Sequence, residues 1–191
     1  WVVLRVNGII NQAAGRDIMA YATEGDSAGV PLLTTDFDEH SPRLSPDGRW
    51  LAYVSDESGR AEVFVRPFPD VESGRWQVSI DGGAHPLWKR DGTELYYFRR
   101  GRPGEPPAMH VAHVRGTQSF ETLSRERLFD VPEGMLVGRG PPWEPVVDVT
   151  ADGGRFLTVR VVDPSDSGEG SPYRLVIIEN LATDVAQALA R

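Results

Sequence analysis

Residues 41–55 read SPRLSPDGRWLAYVS. A polar Asp47-Gly48 pair separates a short strand-like run from the strongly apolar Trp50-Leu51-Ala52-Tyr53-Val54. Asp-Gly between two such runs is a strong short-range hairpin signal, because glycine takes the positive φ that a tight turn needs at little steric cost. The stretch therefore predicts two antiparallel strands. Whether this hairpin is a site or a building unit depends on the rest of the chain.

The motif recurs. SPDGRWLAYVS (residues 45–55) is followed by KRDGTELYYFR (89–99) and by TADGGRFLTVR (150–160). Forty-four positions separate Asp47 from Asp91, and sixty-one separate Asp91 from Asp152, so the third unit carries an insertion. A period of 40–50 residues made only of strands is the signature of propeller blades. After the first hairpin come a third strand at 61–68, a short fourth at 75–79, and the first strand of the next unit at 85–88. In the third strand Val63 and Val65 are expected on one face, with Glu62, Phe64 and Arg66 on the other. The truncated leading unit has strands at 1–6, 17–22 and 30–35. The following unit has strands at 94–99, 108–114 and 127–129, and the last has them at 146–150, 155–161 and 173–178. The tail, residues 181–190, carries Leu181, Val185, Ala188 and Leu189 at helical spacing and reads as a short helix. Loops are expected at 101–107 and 163–172. The expectation is an all-β chain: a partial β-propeller of about three and a half four-stranded blades (1–40 partial, 41–84, 85–142, 143–180 partial) with a short C-terminal helix.

Composition agrees with that class and narrows the function. The 191 residues include 20 glycines and 15 prolines, many turn formers for a chain with little helical periodicity. A net charge of −8 argues against nucleic acid or an anionic membrane as partner, since both need basic surface. Lys89 is the single lysine, and the arginines are scattered except for Arg99-Arg100. With no cysteine, disulfides, thiolate catalysis and cysteine-held metals are excluded. No apolar run reaches the roughly 18–20 residues that span a bilayer. The chain opens on WVVLRV, without methionine or a basic leader, and is expected to start inside a strand with any signal or anchor lying upstream.

Each candidate site residue has a structural reading beside its chemical one. Asp47, Asp91 and Asp152 recur once per unit in the same turn and are expected to close that turn, not to work as catalytic carboxylates. His110 and His113 lie three apart on a strand, so they face opposite sides and do not converge on a metal. Asp36, Asp38 and Glu39, with Asp56 and Glu57, lack the spaced oxygen ligands and glycine of a calcium loop. No G-x-S-x-G elbow, phosphate loop or kinase catalytic motif occurs. Trp50, Tyr53, Trp76, Trp88, Tyr96, Tyr97 and Phe98 read as inter-blade packing. Neither a cofactor nor a metal is expected. Candidate ligand contacts are Asp38, Glu39, His40, Ser41, Arg43 and His85, which lie where the chain enters the innermost strands at the mouth of a central channel.

The phrases SPDGRWLAYVS, EVFVRPFP and RWQVS with its following glycines resemble TolB-like, WD-repeat-like β-propeller repeats. The chain is similar, more narrowly, to the C-terminal propeller of bacterial eukaryotic-type serine/threonine protein kinases, and YRLVIIENLATDVAQALAR resembles the end of that propeller. TADGG departs from SPDG by losing the turn proline. The resemblance implies a ring of six or more blades, of which this chain is an arc with two blade faces open. It also implies a non-catalytic sensor module on the extracytoplasmic, periplasmic side of a membrane-anchored kinase, with a cytoplasmic location left open. Its partner would be a protein, a peptide or a small-molecule ligand. Two alternatives stand beside it. One is a TolB-like periplasmic scaffold, which should carry a small N-terminal domain. The other is the gating propeller of a prolyl-oligopeptidase-type peptidase, which should continue into a hydrolase and which a natural end at Arg191 would exclude.

Overall fold

The computed structural model describes residues 1–7, 15–25, 28–131, 147–161 and 173–179. The expected helix at 181–190 and the loop at 163–172 lie outside the described residues. Among the described residues fourteen strands form four antiparallel meanders. The first holds β1 (Val2–Asn7), β2 (Arg16–Tyr21) and β3 (Val30–Leu33). The second holds β4 (His40–Leu44), β5 (Trp50–Ser55), β6 (Glu62–Pro67) and β7 (Trp76–Gln77). The third holds β8 (Ala84–Trp88), β9 (Glu94–Arg99), β10 (Ala108–Gly116) and β11 (Phe120–Asp130). The fourth holds β12 (Val147–Val149), β13 (Arg155–Val161) and β14 (Tyr173–Glu179). A 3₁₀ turn, Val71–Ser73, follows β6. This is an all-β partial propeller.

Strand alternation creates one core between each pair of neighbouring sheets. Leu51 and Tyr53 of β5 point into a core shared with Ile18, Ala20 and Leu33 of the first sheet. Trp50, Ala52 and Val54 point the other way, against Leu95, Tyr97, Ala112 and Val114 of the third. Tyr96, Phe98, Met109 and Val111 then meet Phe156 of the fourth. All six residues of β5 are buried, as a strand covered on both faces must be. Val63 and Val65 join the second core and Phe64 the first, as the alternation predicts. Trp50 packs edge-on to Trp76 at 5.7 Å and lies 5.3 Å from Phe120, so the repeated aromatics are inter-blade packing. On the outer faces of the first and last sheets Leu4 and Leu157 are 48% and 37% exposed, which leaves apolar surface at both open ends of the arc.

The three Asp-Gly turns share one construction. Gly48, Gly92 and Gly153 have φ of 70°, 73° and 77°. Their amides donate to the carbonyls of Ser45, Lys89 and Thr150 at 2.8, 2.9 and 2.8 Å. Asp91 Oδ1 accepts from the Thr93 amide and hydroxyl at 2.9 and 2.6 Å, and Asp152 Oδ1 from the Thr150 hydroxyl and Gly154 amide at 2.5 and 3.0 Å. Those hydroxyls hold both carboxyls below their ordinary value. Burial raises Asp47, but hydrogen bonds from Ser45 and Arg49 outweigh it, so its value also falls. These carboxylates are spent on their own turns.

Two strands differ in length from the sequence expectation by three residues or more. β7 has two residues where five were expected, because the chain leaves the ladder to send Ser79 into a buried contact with Glu62. β11 has eleven where three were expected. It is the edge strand of its sheet, and the exposed charged positions from Glu121 to Arg127 hide its strand character while blunting the edge.

Candidate functional site

In each of the last three meanders the Asp-Gly turn closes one end, so the start of the first strand, the end of the second and the start of the third gather at the opposite end. That entry rim collects the residues that lead into β4 and β8, the 56–61 turn, the 78–83 crossover and the 100–107 loop. The candidate contacts at Asp38, Glu39, His40, Ser41 and His85 all fall on it, while Arg43 lies deeper along β4 and its guanidinium reaches the Pro42 carbonyl at 3.3 Å.

The two inner strands enter the sheet by the same distortion. Ser41 and His85 both have φ 53°, a left-handed conformation that non-glycine residues rarely adopt, and each precedes a proline. Forty-four positions carry Ser41, not His40, onto His85, so the equivalent of the second histidine is a serine. Both sit within a bulge of the inner ladder, between His40 and Arg43 and between Ala84 and Leu87. Bulges of this kind re-aim a side chain and cluster at functional sites. The buried His85 ring stands edge-on to Phe98 at 6.3 Å. His40 Nδ1 is 2.9 Å from the Ser41 hydroxyl, and burial, with the nearby Arg16 charge, pushes the His40 imidazole down to about 4, so it is neutral at pH 7.

Around this notch the structure builds an electrostatic cluster. Asp38 accepts from Arg16 Nε at 2.5 Å and again from the same guanidinium through Nη2. Burial opposes its charge, yet the Arg16 bonds and charge hold its carboxyl below the ordinary range. Glu39 is 2% exposed, accepts from the Thr35 hydroxyl, and keeps Oε2 without a partner. Burial, reinforced by the Asp17 and Glu57 carboxylates, pushes Glu39 up to about 7. Asp17 is itself buried with Oδ2 unpartnered.

Arg16, Asp17 and Thr35 were not legible as site residues, but the repeat carries a signal for them. Asp17, second in β2, and Glu62, first in β6, open the third strands of their units, opposite Val6 and Ser55. In the second unit the fully buried Glu62 is satisfied: it accepts from Arg60 Nε at 2.9 Å, from the Gly82 amide at 2.8 Å and from Ser79. Gly83 stands forty-four positions after Glu39, and a Cβ there would lie 2.2 Å from Ser79 Oγ. One unit thus closes this corner with a carboxylate and a guanidinium, while the other fills it with two carboxylates around one hydroxyl.

His110 and His113 do not converge. His110 stacks on Tyr97 at 5.5 Å, whereas His113 Nε2 lies 3.5 Å from Glu126. Among the described residues no group of three or more His, Asp or Glu side chains is arranged to hold a metal ion. No helix among them is long and apolar enough to cross a membrane.

No family model matches the sequence, and no curated protein matches it. Solved structures do. The chain is similar to TolB from Acinetobacter baumannii, with 16% identity and a TM-score of 0.51 over 93% of this chain and 49% of that one. It is also similar to oligogalacturonate lyase from Vibrio parahaemolyticus, with 14% identity and a TM-score of 0.52 over 95% and 45%. A manganese complex of oligogalacturonate lyase matches with 12% identity and a TM-score of 0.52 over 91% and 43%. The chain spans a little under half the length of these structures. They establish its fold as a TolB-like β-propeller.

Proposed function

We propose that this TolB-like propeller arc is a non-catalytic recognition module that binds a protein, peptide or small-molecule ligand at its entry rim. The observation that carries the reading is the repeated left-handed residue before proline, Ser41 and His85, in two consecutive inner strands. A backbone conformation that costs of order 1–3 kcal/mol persists where the surroundings impose it, and such positions cluster at ligand sites. The rim supplies paired charges, two neutral-poised groups in Glu39 and His40, and exposed turns on a rigid scaffold, which suits recognition by loops. The conspicuous carboxylates of the repeat are engaged in their own turns on the opposite side.

The finer proposal is the C-terminal extracytoplasmic part of a bacterial serine/threonine protein kinase, supported by the EVFVRPFP and RWQVS phrases. A TolB-like periplasmic scaffold is the second reading, supported by the similarity to TolB from Acinetobacter baumannii. Sequencing the gene around this segment tests both. A kinase domain and one apolar span upstream of Trp1 is the expected result. A signal peptide with a small α/β domain would replace it with the scaffold reading, and a hydrolase downstream carrying G-x-S-x-G would overturn both.

A further inference from the structure

Toward the outer strands of the third sheet, away from the Ser41 and His85 notch, the entry rim holds a cavity of about 480 Å³. That lies within the roughly 300–1,000 Å³ range of small-molecule sites. One wall is the cross-strand pair His110 and Arg127 of β10 and β11, with the core residue Tyr97 of β9 stacked beneath His110. Arg99 stands one step nearer the rim, and Arg100 and Arg102 rise from the 100–107 loop. Four of the nineteen arginines of a chain with net charge −8 therefore line one cavity.

Their charges are incompletely matched. Arg102 is held by Asp81 at 2.9 Å, but Arg60 claims the same carboxylate at 3.1 Å. Arg127 pairs with Asp130, and Arg99 reaches Glu105 only at 3.7 Å. With Glu62, which also holds Arg60, five guanidiniums thus share four carboxylates, and Arg100 makes no ion pair among the described residues. Two buried nitrogens are orphaned, Arg99 Nε and His110 Nε2. His110 is 9% exposed, so its free nitrogen is enclosed by the site itself. A buried polar group left without a partner costs roughly 1–3 kcal/mol, more when it is charged, so each such group calls for a water, an ion or a ligand to complete it, or a strained or catalytic role to explain it. Burial, with Arg99 and Arg127 nearby, lowers the His110 imidazole, so the ring is a neutral hydrogen-bonding partner and not a further cation.

We infer that this cavity is a binding site for a small anionic ligand, whose carboxylate or phosphate oxygens are taken by Arg99 Nε and the Arg127 and Arg100 guanidiniums, beside the His110 ring. Planar guanidiniums match both headgroups in the same forked geometry. The site is separate from the notch and does not depend on the recognition reading above.

The test is titration of the folded chain with inorganic phosphate and with citrate, read by calorimetry and by the His110 imidazole signal in NMR, one of four histidines. Saturable binding of one anion that shifts the His110 signal is expected, and the preferred probe identifies the headgroup. R99Q and R127Q should each weaken it by about tenfold or more, the loss of one charge-assisted hydrogen bond. The exposed R100Q should weaken it without touching the packing. R115Q, which removes an equal charge at the far end of β10, should leave it unchanged. If neither anion shifts His110 at millimolar concentration, or if R115Q weakens binding as much as R127Q, the proposal is wrong.

Discussion

The Glu39 corner yields a prediction with a definite sign. Its carboxyl is raised from an ordinary 4.5 to about 7, first by burial and then by the Asp17 and Glu57 carboxylates, against the Thr35 hydrogen bond. A carboxyl raised in the folded state is protonated there while the unfolded chain has already released the proton. It therefore contributes nothing below pH 4.5, destabilises progressively as pH rises from 4.5 to 7, and reaches its full cost above that. At 1.36 kcal/mol per pKa unit the full cost is about 3 kcal/mol. Glu39→Gln keeps an oxygen for the Thr35 hydroxyl and removes the charge. The variant and the parent should have equal stability in urea near pH 4.5, and at pH 8 the variant should be more stable by about 3 kcal/mol. For a chain of this size that corresponds to roughly 6–12 °C in Tm. Asp17→Asn, which removes the larger of the two carboxylate contributions, should leave the onset near pH 4.5, bring the plateau to lower pH and shrink the difference. Parallel stability curves for parent and Glu39→Gln from pH 4.5 to 8 would refute the reasoning, because they would mean that Glu39 ionises at its ordinary value.

Other substitutions separate packing, turn and buried-charge contributions. Trp50→Ala, which empties the centre of the aromatic cluster with Trp76 and Phe120, should cost about 3–5 kcal/mol in urea denaturation. Gly92→Ala puts a Cβ on a residue at φ 73° and should cost roughly 1–2 kcal/mol while leaving rim binding unchanged. Glu62→Ala leaves the Ser79 hydroxyl and the Gly82 amide without their acceptor, while the half-exposed Arg60 keeps Asp81, and should cost about 2–4 kcal/mol, with amide proton exchange accelerating first in the 78–83 crossover.

The hairpins and their cores were legible because two local signals coincide in each unit: a turn that requires glycine and an apolar run that alternates between two cores. The strand at 94–99 was read to the residue for that reason. β11 was mostly missed because an edge strand need satisfy only one neighbour, and its exposed positions carry charge instead of pattern. The Asp38–His40 segment was legible as a rim because it precedes an inner strand, yet the groups that set its chemistry, Arg16 and Asp17, come from a different strand 22 residues earlier. The sequence placed both His40 and His85 where the chain enters an inner strand; the bulge geometry pairs His85 with Ser41. The arginine cavity was invisible from spacing, since β9, the 100–107 loop and β11 converge only through the register of the third sheet.

The central claim is that recognition belongs to the entry rim and that the Asp-Gly rim is structural. Photocrosslinking in the intact protein, in its own cells, tests it directly. A photoreactive amino acid is placed at exposed positions 36 and 58 on the entry rim, and at exposed positions 49 and 90 beside the Asp-Gly turns. The account predicts adducts to a discrete partner from 36 and 58 and none from 49 and 90. Adducts concentrated at 49 and 90 would contradict it.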